Sequence, residues 1–309
     1  MRVLSLDGGG GRGLLTLQVL KELEVMLGGP VGRHVDLVSG TSTGGILAAA
    51  IVHGVPAAEL ERLYLAGIPE IFHNGWKRRV LTLWGLRDQK YDSAGLERLL
   101  RRVLGDAPFA RPGGAPHLLV PAWDLAGGRL VWFRSWDQHQ AAGLKLRDVA
   151  HRTAAAPTYF EPYQGFCDGG VVANSPAYRA WLEAWELCGC GGHSLLSLGT
   201  GETREALDPC KVNGWGIGGW AKPLVGIFVG GQGTEGDDVL RSVYDAPDGG
   251  DGAGGVYARL QSDLSGVGND VKAMDSRDPK VHAQWIAAGK AAVEDNRAAL
   301  KRVVAAWRS

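Results

Sequence analysis

The chain predicts an α/β fold, a mostly parallel sheet with helices on both faces, on three observations. Twice near the start, a short apolar run leads through a turn containing glycines into a helix-periodic segment: residues 3–6 before 14–23, and 35–38 before 46–52. Later apolar runs too short for helices, at 118–123, 130–133 and 194–198, are interspersed with amphipathic stretches at 93–104, 145–153 and 177–187. Strands separated by helices pair in parallel, and their ligands collect beyond the strand C-termini.

Taken in order, residues 3–28 and 35–53 form strand–helix pairs, and 57–66 a further helix. Residues 67–90 read as an irregular insert that mixes Ile68, Ile71, Phe72, Trp76 and Trp84 with Lys77, Arg78 and Arg79. Interleaved apolar and cationic groups fit a cap over a site or a peripheral contact with an anionic membrane surface, and equally an ordinary packed loop. Glycine-rich stretches at 214–219 and 230–236 bracket a weakly helical segment, and 245–255 is the most loop-like part. A long helix over 279–307, broken near Gly289, closes the chain.

A chain of 309 residues can bury a full core as one large domain, or as a domain with a cap. Lys plus Arg and Asp plus Glu both total 33, a neutral balance that argues against nucleic acid as a partner. The first residues already read as strand, and no run of 18 apolar residues occurs, so a cytoplasmic protein is expected. Cys188-x-Cys190 lacks the second pair of a zinc site, so Cys167, Cys188, Cys190 and Cys210 read as free thiols. With no H-E-x-x-H, no calcium loop and no cluster at ligand spacing, the sequence calls for no metal or other cofactor.

The candidate chemistry begins at Gly40-Thr41-Ser42-Thr43-Gly44, which joins the second strand to its helix. A G-x-S-x-G turn lifts its serine above the strand end, and the helix that follows aims free N–H groups at the same place. The alternative is a turn needed only for packing. A second loop, Asp7-Gly8-Gly9-Gly10-Gly11-Arg12-Gly13, can present successive backbone N–H groups in one concavity. Its Gly8-x-Gly10-x-x-Gly13 spacing also satisfies a dinucleotide fingerprint, with Glu22 or Glu24 near the offset of a ribose-binding acid. No Lys-Ser or Lys-Thr follows, which rules out a Walker phosphate loop. Asp168-Gly169-Gly170 is a further turn, and it matters because a serine needs a base. Of the eight histidines none lies in a glycine-flanked strand-end loop; His151 is the one serious competitor to Asp168 for that role.

In that order, the glycine loop, the Ser42 turn with Gly45 and the Asp168 turn resemble the motifs of the patatin-like phospholipases. Lys90-Tyr91-Asp92, residues 155–160 and Ser197-Leu198-Gly199-Thr200-Gly201 support the resemblance, which covers residues 1–205, with a thinner echo at 257–261 and in the terminal helix. No motif position departs from the family pattern. The resemblance implies a three-layer α/β/α fold, with 1–205 as catalytic domain and 206–309 as its continuation, loop-rich over 230–255 and helical over 279–307. It implies a Ser–Asp dyad in place of a triad, with Ser42 as nucleophile and Asp168 as general base. Gly9 and Gly10, with Gly11 nearby, would supply the oxyanion hole, supported by Arg12, Gly40, Gly44, Gly169 and Gly170. The implied activity is hydrolysis of phospholipid or other acyl-lipid esters, of phospholipase A or lysophospholipase type. A thioesterase or carboxylesterase on the same dyad, a dinucleotide-binding domain and a non-catalytic scaffold of the same fold stay open.

Overall fold

Strand side chains alternate between two faces, and in this protein both faces of the sheet are apolar. The computed structural model describes residues 1–73, 89–110, 116–189, 192–202, 207–245 and 255–309. Strands β1 (Arg2–Leu6), β2 (Leu37–Gly40), β3 (His117–Asp124), β4 (Arg129–Arg134), β6 (Ser194–Leu198) and β7 (Tyr257–Leu260) run β4-β3-β2-β1-β6-β7, and β5 (Phe166–Asp168) pairs with β3. β1 is parallel to β2 and β6, β2 to β3, and β6 to β7, whereas β4 and β5 are antiparallel to β3. The flanking helices are α1 (Gly13–Leu27), α2 (Thr43–His53), α3 (Ala57–Ile71), α4 (Ala94–Leu104), α5 (Leu146–Ala154), α6 (Ala177–Cys188), α7 (Ile217–Tyr244), α8 (Pro279–Asp295) and α9 (Arg297–Arg308).

The register Val3↔Leu37 and Val3↔Leu195 puts Val3, Leu37, Leu119 and Leu195 on one face, under Ala180, Trp181 and Ala184 of α6 and Leu240 of α7. Leu4, Val38, Leu118, Val120 and Leu196 face the other way, into the larger core built with α1, α2, α8 and α9. The chain therefore forms three layers, α/β/α. Helices α1 and α2 stop at Gly28 (φ 79°) and Gly54 (φ 91°), the left-handed C-cap geometry that glycine adopts without a Cβ penalty.

The edges of β3 decide where the site lies. β4 takes one edge of β3 over Leu119–Asp124, so β2 and β5 must share the other. β2 occupies it from His117 to Leu119 and then leaves at Gly40, while β5 enters antiparallel with Asp168 opposite Ala122. The two strands thus run head to head, and the turns after Gly40 and Asp168 meet in the gap.

Three expectations are corrected, and one falls outside the described residues. The helix expected over 57–66 continues to Ile71 despite Pro69, because Gly67, Ile68 and Ile71 are buried and Gly67 meets Leu99 of α4. Trp76, Lys77, Arg78, Arg79 and Trp84 of the expected insert lie outside the described residues. Residues 230–244, expected as part of a loop-rich stretch, belong to helix α7. Its low propensity is overridden by tertiary contacts: Leu240 is fully buried, Gln232 accepts from Asn174 N–H, and Asp237 accepts from the Tyr257 hydroxyl at 2.7 Å. The terminal helix breaks at Asn296, not near Gly289, which is buried inside α8. β5 and β7, absent from the sequence reading, complete the sheet.

Gly289 marks a close crossing, since a Cβ there would lie 2.5 Å from the Leu15 carbonyl oxygen of α1. Gly289→Ala gains about 1 kcal/mol in helix propensity but overpacks the crossing by about 1–3 kcal/mol. The urea midpoint should therefore fall by the equivalent of about 1 kcal/mol; a rise would mean that the helices separate freely.

Candidate active site

Ser42 occupies the sharp point between β2 and α2 with φ 55° and ψ −124°, a left-handed conformation that is costly for a residue with a side chain. The turn is held from several sides. Thr41 N–H donates to the Leu6 carbonyl at 3.1 Å and its hydroxyl to the Ala173 carbonyl at 2.7 Å. Ser42 N–H donates to Thr153 Oγ1 at 3.0 Å. Gly40 and Gly44 are required by close approach: a Cβ at Gly40 would meet the Gly44 carbonyl oxygen at 2.1 Å, and one at Gly44 the Leu6 oxygen at 2.3 Å. Ser42 sits at the N-cap of α2, so the positive end of that helix lies at the hydroxyl.

Asp168, at the end of β5, is 5% exposed. The Ser42 side chain lies against its carboxylate and favours the charged form, and Gly170 N–H donates to Oδ1 at 2.7 Å. Burial, opposed by these two contacts, pushes the carboxyl up from 3.8 to about 6. Gly169 and Gly170 open the single turn Gly170–Ala173, and a Cβ at Gly169 would lie 2.4 Å from the Pro121 carbonyl oxygen. His151, the competing candidate base, is buried and stacked on Tyr163 at 3.8 Å between ring centroids. Burial lowers its pKa to about 4, and its Nε2 has no described partner. The structure therefore brings Ser42 together with the carboxylate.

The glycine loop crosses above this pair. Its start is pinned by Asp7, whose Oδ2 pairs with Arg259 Nη2 at 2.5 Å while Arg259 Nη1 donates to Ser197 Oγ at 2.7 Å; both charged groups are buried. Thr200 Oγ1 donates to the Gly8 carbonyl at 2.6 Å, and Gly8 N–H donates to the Asn174 carbonyl at 3.1 Å. A Cβ at Gly8 would lie 3.2 Å from Ser42 Cβ, so the loop rests on the serine. Among the described residues none accepts from Gly9 or Gly10 N–H, whereas Gly11 N–H donates to the Met274 carbonyl at 2.7 Å. Gly11 is thus already engaged, which leaves Gly9 and Gly10 as the available donors. Arg12 is buried, and desolvation lowers its guanidinium to about 10, still protonated at neutral pH.

Three glycines of the loop that carries the dinucleotide spacing are packed closely against the rest of the protein. A Cβ at Gly8 would strike Asn174 Oδ1 at 2.3 Å, one at Gly9 Thr200 Oγ1 at 2.1 Å, and one at Gly13 Thr43 Oγ1 at 2.8 Å. The Cβ side of each of these glycines is thus covered by the protein's own side chains. Glu24 accepts from Val31 and Ala57 N–H, and Glu22 pairs with Arg297, so both candidate ribose acids have structural partners. The residues that sequence reasoning missed are Thr153, Asn174, Arg259 and Met274. Arg259 lies within the 257–261 segment of the resemblance, whereas Thr153 and Met274 carry no local signal.

The raised carboxyl has a consequence for stability. A folded Asp168 that binds its proton more tightly than an unfolded aspartate contributes most below pH 4. That contribution is lost as pH rises through about 6, where ionisation costs about 3 kcal/mol. Asp168→Asn, neutral and nearly isosteric, should raise unfolding free energy at pH 8 by about 1–3 kcal/mol and give no such gain at pH 4. Urea titrations at both values test this, and a loss at pH 8 would show the ionised carboxylate to be net stabilising.

Comparison with known proteins shows the family. The family model for patatin-like phospholipase matches residues 4–181. A "cGAMP-activated phospholipase" of Pseudomonas aeruginosa is 34% identical over 287 residues, covering 88% of this chain and 82% of that protein. A protein of the same name from Escherichia coli is 35% identical over 201 residues, 60% of this chain and 56% of that one. "Patatin-like protein 2" of Arabidopsis thaliana is 30% identical over 295 residues, with 79% and 72% covered. With the family model spanning both the Ser42 elbow and the Asp168 turn, the chain belongs to the patatin-like phospholipase family.

Proposed function

We propose that this chain is a serine lipid acyl hydrolase, of phospholipase A or lysophospholipase type, working through a Ser42–Asp168 dyad. The observation that carries the reading is a strained serine at a strand–helix elbow with its side chain against a buried carboxylate. Asp168 takes the hydroxyl proton as Ser42 Oγ bonds to the ester carbonyl carbon, and the carbonyl electron pair moves onto oxygen. Gly9 and Gly10 N–H stabilise that oxyanion, each such donor contributing about 3 kcal/mol. Collapse expels the alcohol, which takes the proton from Asp168 and leaves an acyl-enzyme. Water, deprotonated by the same carboxylate, releases the fatty acid and restores Ser42. Because the elbow does not encode the leaving group, thioesters and simple carboxylic esters belong in the same substrate screen.

An alkyl fluorophosphonate should place one adduct on Ser42, and Ser42→Ala should lose both the adduct and hydrolysis of phospholipids, galactolipids, monoacyl lipids and acyl-thioesters. Since only ionised Asp168 is a base, log kcat/KM should fall below pH of about 6 rather than about 4. An adduct on another serine would sink the dyad.

We further propose that a cyclic dinucleotide of the cGAMP class gates the activity, supported by the two relatives whose names state cGAMP activation. Hydrolysis should rise at least tenfold when cGAMP is added at micromolar concentration, an increase of about 1.4 kcal/mol in transition-state stabilisation. An unchanged rate in an enzyme that labels at Ser42 would remove the gating and leave the hydrolase reading intact.

A further inference from the structure

The glycine loop is held from a part of the chain beyond residues 4–181 that the family model matches. Gly11 N–H donates to the Met274 carbonyl, and a Cβ at Gly10 would lie 2.6 Å from that same oxygen, so the 274 peptide rests directly on the loop. Its neighbours are fixed points. Trp285 Nε1 donates to the Val271 carbonyl at 2.8 Å, and the His282 ring bonds the Ser276 carbonyl at 2.8 Å. The Asp275 carboxylate, 11% exposed, accepts from Lys90 Nζ at 2.5 Å and from the Tyr91 hydroxyl at 2.7 Å.

Lys90 and Tyr91 are themselves anchored. Their N–H groups donate to the Thr158 and Tyr159 carbonyls at 2.9 Å, and the Tyr91 ring packs on Phe72 and Phe160. The Lys90 ammonium stands 5.2 Å above the Tyr91 ring. A carboxylate with two donors on one side and a backbone carbonyl one residue away is a short, stiff link between Lys90-Tyr91 and the loop.

Four adjacent glycines make an intrinsically soft segment. A backbone donor stabilises an oxyanion only when it is aimed before the charge develops. Thr200 and Asn174 fix the Gly8 end, and Gly10, at φ 59°, is next to the Met274 contact. We infer that Asp275 is a positioning residue for hydrolysis: held by Lys90 and Tyr91, it seats the Met274 carbonyl on Gly11 and so aims the Gly9 and Gly10 N–H groups. The inference rests on the proposed serine hydrolase reading.

The test uses the full chain with Asp275→Asn and Lys90→Met, folding checked by circular dichroism. Kinetics with a short soluble p-nitrophenyl ester are read beside inhibition by an alkyl trifluoromethyl ketone, whose reversible adduct carries the oxyanion. Misaimed donors should lower kcat about 10- to 100-fold and leave KM within about twofold. Ketone affinity should weaken in step with kcat. If Asp275→Asn fails to fold, Lys90→Met and Tyr91→Phe carry the same test. Wild-type kcat in folded variants, a change confined to KM, or a fall in kcat with ketone affinity intact would overturn the inference. So would a rise in kcat, which would make the Met274 carbonyl an obstruction. A wild-type chain that neither hydrolyses nor labels would instead defeat the hydrolase reading.

Discussion

An ionised carboxylate sealed from water is costly, and among the described residues Asp168 is met by the Gly170 N–H and by the neighbouring Ser42 side chain. Both groups come from turns whose positions are set elsewhere. The elbow exists because β2 leaves β3 at Gly40, and the carboxylate arrives because β5 takes up the vacated edge. Loss of either strand pairing would leave a buried charge without its partners. The turn Gly170–Ala173 ties the two together, since the Ala173 carbonyl accepts from Thr41 and the Asn174 carbonyl from Gly8. One residue's desolvation is thus met by contacts spread over three loops.

The glycine loop shows the complementary problem, holding backbone donors still without engaging them. Its anchor is the Asp7–Arg259 pair, which joins the end of β1 to β7 across β6. A buried ion pair is weak evidence for net stability, because two desolvations offset its attraction. Its value here is geometric. Asp7 Oδ1 has no described partner, so the carboxylate is oriented by Arg259 from one side only. Thr200, from the loop after β6, takes the Gly8 carbonyl and thereby removes one rotational freedom more.

The parts of this arrangement legible in the sequence were those written in contiguous residues. Glycines around Ser42 and at positions 8–11 announced turns at strand ends, because a Cβ at Gly40 or Gly44 collides with backbone. Helix α7 was legible only as a weakly helical segment before residue 230; beyond it the glycines lower propensity, and the order comes from Gln232, Asp237 and Leu240 meeting distant partners. Gly289 was misread as a break for a related reason: a glycine that permits a close helix crossing looks, locally, like one that ends a helix. β5 is three residues long, too short for any periodicity, and is a strand only because β3 offers an edge. Met274 acts through its backbone carbonyl, so its side chain could carry no signal at all.

Basicity and stability at Asp168 are two measures of one free energy. An exposed aspartate near 3.8 is a poor proton acceptor, whereas a carboxyl at about 6 comes close to the histidine range and remains mostly ionised at neutral pH. The added proton affinity arises because burial disfavours the charged form, and the folded state loses the same amount whenever the charge is present. A Ser–Asp pair can therefore dispense with an imidazole only inside a fold whose core tolerates that loss. The two apolar faces of the sheet, with the β1 residues Val3, Leu4 and Leu6 at zero exposure, provide such a core. More donors on the carboxylate would steady it but return its pKa toward 3.8, so the sparse bonding around Asp168 suits the base role proposed for it.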